Sequence, residues 1–373
     1  MSYQGESSTD ESQESVDPGS LAATDLQALS PTTILQKYLT VNSVLTITSS
    51  FARQSQSLRY LADTQKYRDI GEGPQGIVYE RLGSILATKK ELPTNKGRRL
   101  SEEFAIHRKV FAAFTKYKVY SDIHVPQPYD FTPGELISPQ LLSQMPENDR
   151  QPSDIVTMER ILPLPKVVRK AIIQKFHPDG IVRDEHRVTQ ILDERENKHC
   201  LARVYLGMET LPIPKESFSL RNFPLTLDRM VDLGLDAKHF AVMIGNAYAI
   251  MHWAAIITGD DVEFVLGTSA SPNNDFQHRR VHMYLLDFGR CDTVNTVNIN
   301  EYQEDVFQAL KRSMVRHRNQ IYLPHPRRNT ELYQAWKSAY MSTSDKIVRQ
   351  EGLSFDPEEF LSEYEEYLDE LGP

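Results

Sequence analysis

Residues 70–78 read IGEGPQGIV, in which Gly71, Gly73, Gly76 and Val78 form the pattern G-x-G-x-x-G-x-V. Glycines at this spacing often serve turns, so the pattern alone is weak evidence for a ligand. A dinucleotide-binding loop requires a helix directly after the third glycine and an acid about 20 residues further on. Here the third glycine opens an apolar run that is typical of a strand. The pattern therefore predicts a flap between two strands that covers phosphate groups.

A β-hairpin is predicted to carry this flap, with strands over residues 76–81 and 85–91. Side chains alternate along a strand, so Ala87 and Lys89 lie on one face and Lys90 lies on the other. A small residue beside a lysine would admit a flat base while the ammonium group reaches phosphate oxygens. A surface hairpin with a Lys-Lys pair explains these elements equally well when they are taken alone.

The run LATK at residues 86–89 resembles the V-A-I-K strand of protein kinases, in which the lysine pairs with a glutamate of the next helix. A helix is predicted over residues 100–117, and Glu103 is the glutamate that would orient Lys89. Glu102 is an alternative partner. A glutamate in the first turns of a helix is more often a partner of the helix dipole than a catalytic group.

Residues 155–161 read IVTMERI, which predicts a short buried strand. The run resembles the strand and hinge that link the two lobes of a protein kinase. The resemblance places Met158 at the back of a base pocket and lets residues 159–161 offer backbone groups to a ligand. A plain buried strand is a strong alternative for this run alone.

The second half of the resemblance is a series of elements in the kinase order. An uncharged helix ends at Trp253, a short strand ends at Leu266, and a D-F-G run begins at Asp287. The resemblance implies that Asp260, in the loop after the helix, acts as catalytic base. It also implies that Asp287 holds the magnesium ion that bridges the phosphates of ATP. The polar loop 268–280 would be an insertion between two short strands.

The sequence departs from the kinase pattern at the catalytic loop. The pattern places an asparagine five residues after the catalytic aspartate, and Val265 stands there when the count starts at Asp260. A count from Asp261 reaches Leu266 instead. Neither side chain has the oxygen that a hard cation requires. Gly259 stands where the pattern has a basic residue, no A-P-E run follows, and the choice between the two aspartates stays open.

These departures favour a kinase-like protein that binds ATP and Mg²⁺ but whose phosphotransfer is degenerate or absent. One alternative is an active, atypical phosphotransferase that acts on a protein or a small molecule, with Asp260 as base and Asp287 on one magnesium ion. Another is a non-catalytic regulatory protein in which the glycine loop and the D-F-G run are structural remnants.

Five longer strings form a more particular combination: RVYLG at 203–207, FSLRNFPL at 218–225, MHW at 251–253, DVEFVLG at 261–267 and LLD at 285–287. Together they resemble a family of fungal proteins that is known as a domain of unknown function, and some of its members are labelled zinc-finger proteins. The resemblance covers about residues 65–345 and implies no particular activity. Two cysteines cannot build a four-thiolate site and no histidine stands at finger spacing, so we expect no zinc.

The composition of 373 residues, 40% hydrophobic and 25% charged, is that of a folded protein with a sizeable core. The order of elements predicts an α+β, protein-kinase-like bilobal fold. Five segments are predicted: a disordered acidic tail at 1–30, an N-terminal helical extension at 31–65, a small β-containing lobe at 66–158, a helical large lobe at 159–350 and an acidic C-terminal tail at 351–373. The extension is predicted to contain helices at 31–41 and 43–63.

The net charge of −9 is concentrated at the two ends of the chain. Residues 1–20 hold five acids and residues 351–373 hold nine, with no lysine or arginine in either segment. The remaining 330 residues hold 37 acids and 42 bases, an excess too small to predict a nucleic-acid partner. Acidic tails are usually solvated, and here they are candidates for contacts with a protein partner.

Two cysteines and an N-terminus without a basic and then apolar segment predict a reduced compartment, either cytoplasmic or nuclear. Residues 239–259 contain no Asp, Glu, Lys or Arg and are long enough to span a membrane. The segment contains Asn246, His252 and Thr258, however, and polar side chains are costly in lipid. We therefore expect a buried helix of the large lobe and no membrane partner.

Overall fold

The structure, a computed structural model, describes residues 29–46, 50–95, 97–180, 184–212, 214–271, 275–294, 303–316 and 319–371. Its fold is α+β, with two five-stranded sheets and a large helical part. Nearly all of the acidic tail that was expected to be disordered, residues 1–28, lies outside the described residues.

Helices dominate the second half of the chain. The α-helices are α1 Pro31–Tyr38, α2 Ser50–Leu58, α3 Leu100–Lys116, α4 Pro139–Gln144, α5 Lys166–Phe176, α6 Glu185–Asp193, α7 Leu227–Asp232, α8 Ala237–Ala249, α9 Gln303–Val315, α10 Thr330–Glu351 and α11 Pro357–Leu371. Several begin at a side-chain cap. Asp236, for example, accepts a hydrogen bond from the N–H of His239 at 2.9 Å at the start of α8. The helix predicted over residues 100–117 is confirmed as α3.

The first sheet carries the flap. Its antiparallel strands, in the order β2-β3-β4-β6-β5, are β2 Tyr67–Glu72, β3 Gly76–Arg81, β4 Leu86–Glu91, β5 Pro128–Thr132 and β6 Ile155–Glu159. The predicted hairpin is confirmed, because β3 and β4 pair with Val78 opposite Lys89. Ala87 on the same strand lies opposite Met158 of β6. The hairpin and the predicted hinge strand are therefore direct neighbours in the sheet.

The second sheet corrects two predictions. Its order is β1-β10-β9-β7-β8, with β1 Val44–Thr46, β7 Ala202–Tyr205, β8 Phe223–Thr226, β9 Glu263–Ser271 and β10 Asp275–Leu286. The loop expected at 268–280 is wrong, because its described residues extend the hairpin of β9 and β10. The helix expected at 43–63 is also wrong at its start, since β1 pairs with β10. Leu45, 1% exposed between a valine and a threonine, suits a strand better than a helix.

The charge-free segment is the central helix of the helical part, as predicted. It forms α8 and continues as a π-helical turn, Ile250–Ala255. Gly245 allows α10 to pack closely, because a Cβ there would lie 2.5 Å from the carbonyl oxygen of Trp336. His252 is buried and contacts the hydroxyl of Tyr340 at 2.9 Å. Within the described ranges, no helix combines the length and the apolar character that crossing a membrane requires.

The acidic C-terminal segment is packed rather than solvated, which corrects the prediction for residues 351–373. Most of it forms α11, whose buried side chains recur at helical spacing: Phe360, Leu361, Tyr364 and Leu368. Its acids lie on the other faces, and Glu365 forms an ion pair with Lys337 at 2.6 Å. The number of acidic residues alone does not show that apolar residues recur at helical spacing in this segment.

Candidate functional site

A cavity of about 430 Å³ lies beneath the glycine loop and receives residues from both sheets. Nine of the residues singled out in the sequence line it: Gly71, Gly73, Gly76, Val78, Ala87, Lys89, Glu103, Met158 and Asp287. Asp260 does not line this cavity but borders a different one of about 540 Å³, together with Thr258 and residues of α9. The neighbouring Asp261 takes a place in the first cavity.

The ion pair expected between Lys89 and Glu103 is confirmed. The ammonium Nζ donates to Oε1 at 2.6 Å and to Oε2 at 2.8 Å, and the two side chains are only 13% and 10% exposed. Glu102 points elsewhere, with a side chain that is 63% exposed and lies 3.8 Å from Arg98. Glu103 therefore lies on the face of α3 that is directed toward β4, and it is the residue that pairs with Lys89.

Burial and two carboxylates act on the pKa of Lys89. Burial lowers the pKa of its ammonium group, but the carboxylates of Glu103 and Asp287 more than offset burial and raise the pKa above its usual value. Lys89 is therefore a fully charged cation inside the cavity. Asp287 lines the same cavity as Lys89 and Glu103.

The glycine loop contains an internal hydrogen bond, in which the N–H of Gly73 donates to the carbonyl oxygen of Gly76 at 3.0 Å. A Cβ at Gly76 would lie 2.5 Å from the carbonyl oxygen of Lys90, so strand packing alone requires that glycine. A Cβ at Gly73 would meet nothing within 4 Å, and at Gly71 it would meet only Val78 at 3.8 Å. Protein packing thus leaves Gly71 and Gly73 unexplained, whereas close approach of a ligand to the backbone would explain them.

The helix that supplies Glu103 also contacts the D-F-G run. One turn later on α3, the ring of His107 lies 5.0 Å from the ring of Phe288. Its Nε2 lies 2.6 Å from the carbonyl oxygen of Pro126. Burial, reinforced by the nearby charge of Lys89, lowers the pKa of His107 to about 4, so the ring is neutral in this contact.

The register of β9 and β10 brings a further carboxylate to the cavity. Glu263 lies opposite Leu286, directly before Asp287, and both carboxylates line the cavity. The fixed count from Asp260 reached Val265, which is 1% exposed in the core. Aligning β9 and β10 as an antiparallel hairpin would have found this residue, because the alignment places Glu263 beside Asp287.

Arg203 of β7 is the partner of Glu263 and also lines the cavity. Burial raises the pKa of Glu263 to about 7, the guanidinium of Arg203 opposes this, and the charges of Asp287 and Asp261 add to it. Asp261 is itself paired, with its Oδ2 at 3.2 Å from Nε of Arg290. Both aspartates, Asp261 and Asp287, adopt left-handed backbone conformations with φ of 59° and 67°. Aspartate tolerates this conformation better than most residues.

Two of the three backbone N–H groups of the predicted hinge, residues 159–161, form hydrogen bonds within the protein. The N–H of Glu159 donates to Gln127 at 2.8 Å and the N–H of Arg160 donates to Ile85 at 2.8 Å. The guanidinium of Arg160 is buried against the carboxylate of Glu80. Of the three residues expected to face a ligand, Ile161 alone keeps an N–H without a partner in the part of the chain that the structure describes.

A metal ion at this site would need ligands from outside the protein. Among the described residues, no three His, Cys, Asp or Glu side chains converge closely enough to hold one. Mg²⁺ is commonly held by one or two carboxylates together with substrate phosphates and water. Asp287, with Glu263 beside it, fits such a shared arrangement.

No protein-family model and no curated protein matches this chain in sequence comparison. The chemistry of the cavity therefore carries the functional argument.

Glu263 predicts a pH dependence of stability. Its carboxyl has a pKa of about 7 in the folded chain against an ordinary value of 4.5, so the folded state keeps a proton that the unfolded state releases between these values. The contribution of Glu263 to the free energy of unfolding should therefore fall as the pH rises from about 4.5 to about 7.

Urea unfolding of the wild type and of Glu263→Gln, across this pH range and with a chelator present, measures that contribution. The stability of the wild type relative to the variant should decrease with rising pH. A difference that stays constant over the range would show that Glu263 titrates normally.

Proposed function

We propose that this chain binds a nucleotide together with Mg²⁺ in the cavity beneath the glycine loop, within a kinase-like bilobal fold. In this proposal residues 66–158 form the small lobe and residues 159–350 the large lobe, and phosphoryl transfer is slow or absent. The observation that carries the proposal is the buried ion pair of Lys89 and Glu103, which lines the same cavity as the glycine loop and Asp287. A surface hairpin would give no reason to bury this pair, since burial costs each ion its hydration.

The apolar part of the cavity suits a flat base. Val78, Ala87 and Met158 line it from the first sheet, while Leu201 and Leu286 line it from the other part of the chain. The free N–H of Ile161 lies at the hinge end of the cavity, where a base would find a hydrogen-bond donor. A few polar groups in a mostly apolar slot are typical of small-molecule sites.

The polar part suits a phosphate chain. Lys89 supplies a fixed positive charge, and Gly73 lets the backbone of the loop approach phosphate oxygens. A magnesium ion bound to the phosphates would find its protein ligand in Asp287, and it would supply charge neutralisation on the phosphate oxygens. The residues of the chain hold and orient the nucleotide, and the loop excludes water above it.

The positions of the candidate catalytic residues support nucleotide binding more than phosphoryl transfer. Asp261, the aspartate that lines the cavity, is tied to Arg290, and Asp260 lines a separate cavity. Val265, at the counted position of the second metal ligand, is buried in the second sheet. A general base must reach the hydroxyl of an acceptor, and neither aspartate is poised to do so.

Titration calorimetry with ATP, with and without Mg²⁺, tests the proposal. Asp287→Asn should weaken Mg-ATP binding at least about tenfold, or ~1.4 kcal/mol, because it removes the charge that holds the metal. Asp260→Asn is the matched control, since its carboxylate lines another cavity, and it should bind as the wild type does. No heat or thermal shift with any nucleotide would refute the proposal. Lys89→Ala is less informative, because it leaves Glu103 buried without a partner.

The glycine loop provides a separate test. Gly73→Ala should leave stability within about 0.5 kcal/mol, because the new methyl group meets open space. The same substitution should weaken ATP at least about tenfold if phosphates approach the loop backbone. Gly76→Ala should instead destabilise the fold, since its Cβ would overlap the carbonyl of Lys90. Unchanged ATP affinity in Gly73→Ala would remove the loop from the binding site.

Active phosphotransfer is the second candidate, and the position of Glu263 favours it. A carboxylate beside Asp287 offers the second oxygen ligand that the sequence count did not find. Transfer of the γ-phosphoryl group of labelled ATP to water or to the chain itself measures this activity. If transfer occurs, Glu263→Gln should reduce it by at least about tenfold while leaving ATP binding nearly intact. Transfer that survives in Glu263→Gln would rule out this role.

A further inference from the structure

The cations that line the cavity differ in their partners. Three are paired with carboxylates: Lys89 with Glu103, Arg160 with Glu80 and Arg203 with Glu263. The fourth, Arg221, has no carboxylate partner among the described residues. Its Nη2 reaches only the carbonyl oxygen of Glu72 in the glycine loop, at 3.4 Å. A long bond to a neutral acceptor leaves most of the capacity of a guanidinium unused.

The surroundings of Arg221 are electropositive. His199 lines the same wall of the cavity, and its pKa falls to about 4, first through burial and then through the positive charges of Arg160, Arg169, Arg221 and Arg195. The imidazole is therefore neutral at physiological pH, and it can donate or accept a hydrogen bond. Asn222, exposed at the mouth of the cavity with φ of 53°, adds an amide next to Arg221. Together Arg221, His199 and Asn222 offer hydrogen-bond donors to an anion in this cavity.

The wall lies apart from the lysine end of the cavity. Glu72 of β2 is opposite Ile77 of β3, which is opposite Lys90 of β4. Two strand spacings, about 10 Å, therefore separate the backbone that Arg221 contacts from the strand that carries Lys89. Lys89 and Arg221 thus enter the cavity from different elements, so each can hold a separate anionic group of the ligand.

We propose that Arg221, His199 and Asn222 form a second anion site in this cavity, and that the nucleotide it accepts carries a phosphate ester on its ribose in addition to its 5′-phosphate. The inference rests on the proposed function, because it assumes a nucleotide with its 5′-phosphate at Lys89. A phosphate dianion would replace the carbonyl of Glu72 as partner of Arg221 with a stronger, charge-assisted contact. The edge of the sugar is the part of a nucleotide that faces away from both base and 5′-phosphate.

Calorimetric titration with AMP, adenosine 3′,5′-bisphosphate and adenosine 2′,5′-bisphosphate tests the site, because the three ligands share base and 5′-phosphate. One of the bisphosphates should bind the wild type at least about tenfold more tightly than AMP. Arg221→Gln should abolish this preference and leave the affinity for AMP within about twofold. Arg195→Gln is the control, because this arginine is 71% exposed and pairs with Asp69, and it should keep the preference.

Two results would overturn the inference alone. Equal affinity of the wild type for AMP and both bisphosphates, with ATP still binding, would show that no second anion site exists. An equal loss of AMP and bisphosphate affinity in Arg221→Gln would assign Arg221 to the main phosphate chain. If neither ATP nor any of the three ligands binds the wild type, the proposed function fails, and this inference fails with it. Thermal melting of Arg221→Gln establishes that the variant is folded.

Discussion

The buried ion pair of Lys89 and Glu103 fixes α3 against the first sheet, and the geometry of the cavity depends on that position. Two charges removed from water are tolerated only when each compensates the other, as the contacts at 2.6 and 2.8 Å allow. One turn further along α3, His107 packs on Phe288, the residue after Asp287. A single helix thus connects the lysine of β4 to the D-F-G run. A shift of α3 that opened the ion pair would also disturb the aromatic contact behind Asp287.

The sequence predicted the features whose chemistry is local. Strand alternation placed Ala87 and Lys89 on one face, and the helix signal placed Glu103 within reach of the lysine. The sequence could not show whether Glu103 or Glu102 pairs with Lys89. Adjacent residues of a helix point in different directions, and only the contact of α3 with β4 shows which of the two faces the lysine. The same holds for Asp260 and Asp261, since only the structure shows that Asp261 lines this cavity and that Asp260 lines another one.

Features that depend on pairing between distant segments could not be read from the chain. Glu263 reaches the cavity through the register of β9 with β10, whereas a fixed residue count reached buried Val265. Arg203 and Arg221 arrive through β7 and the segment before β8, and these strands join the sheet by contacts far apart in sequence. The acidic end of the chain was misjudged for a different reason, because net charge carries no information about the period of Phe360 and Tyr364.

The register also changes what the missing asparagine means. Val265 is a core residue of β9, so its apolar character serves the sheet and does not by itself report on catalysis. The group at the cavity is Glu263, and its carboxylate is engaged by Arg203. In the proposed complex a magnesium ion attracts this carboxylate while phosphate oxygens attract the guanidinium, so the two halves of one Mg-nucleotide compete for both members of the pair. Whether the chain only binds or also transfers a phosphoryl group then depends on how strongly Arg203 holds this carboxylate, because a carboxylate that shares its charge with a guanidinium is a weaker ligand for a metal ion.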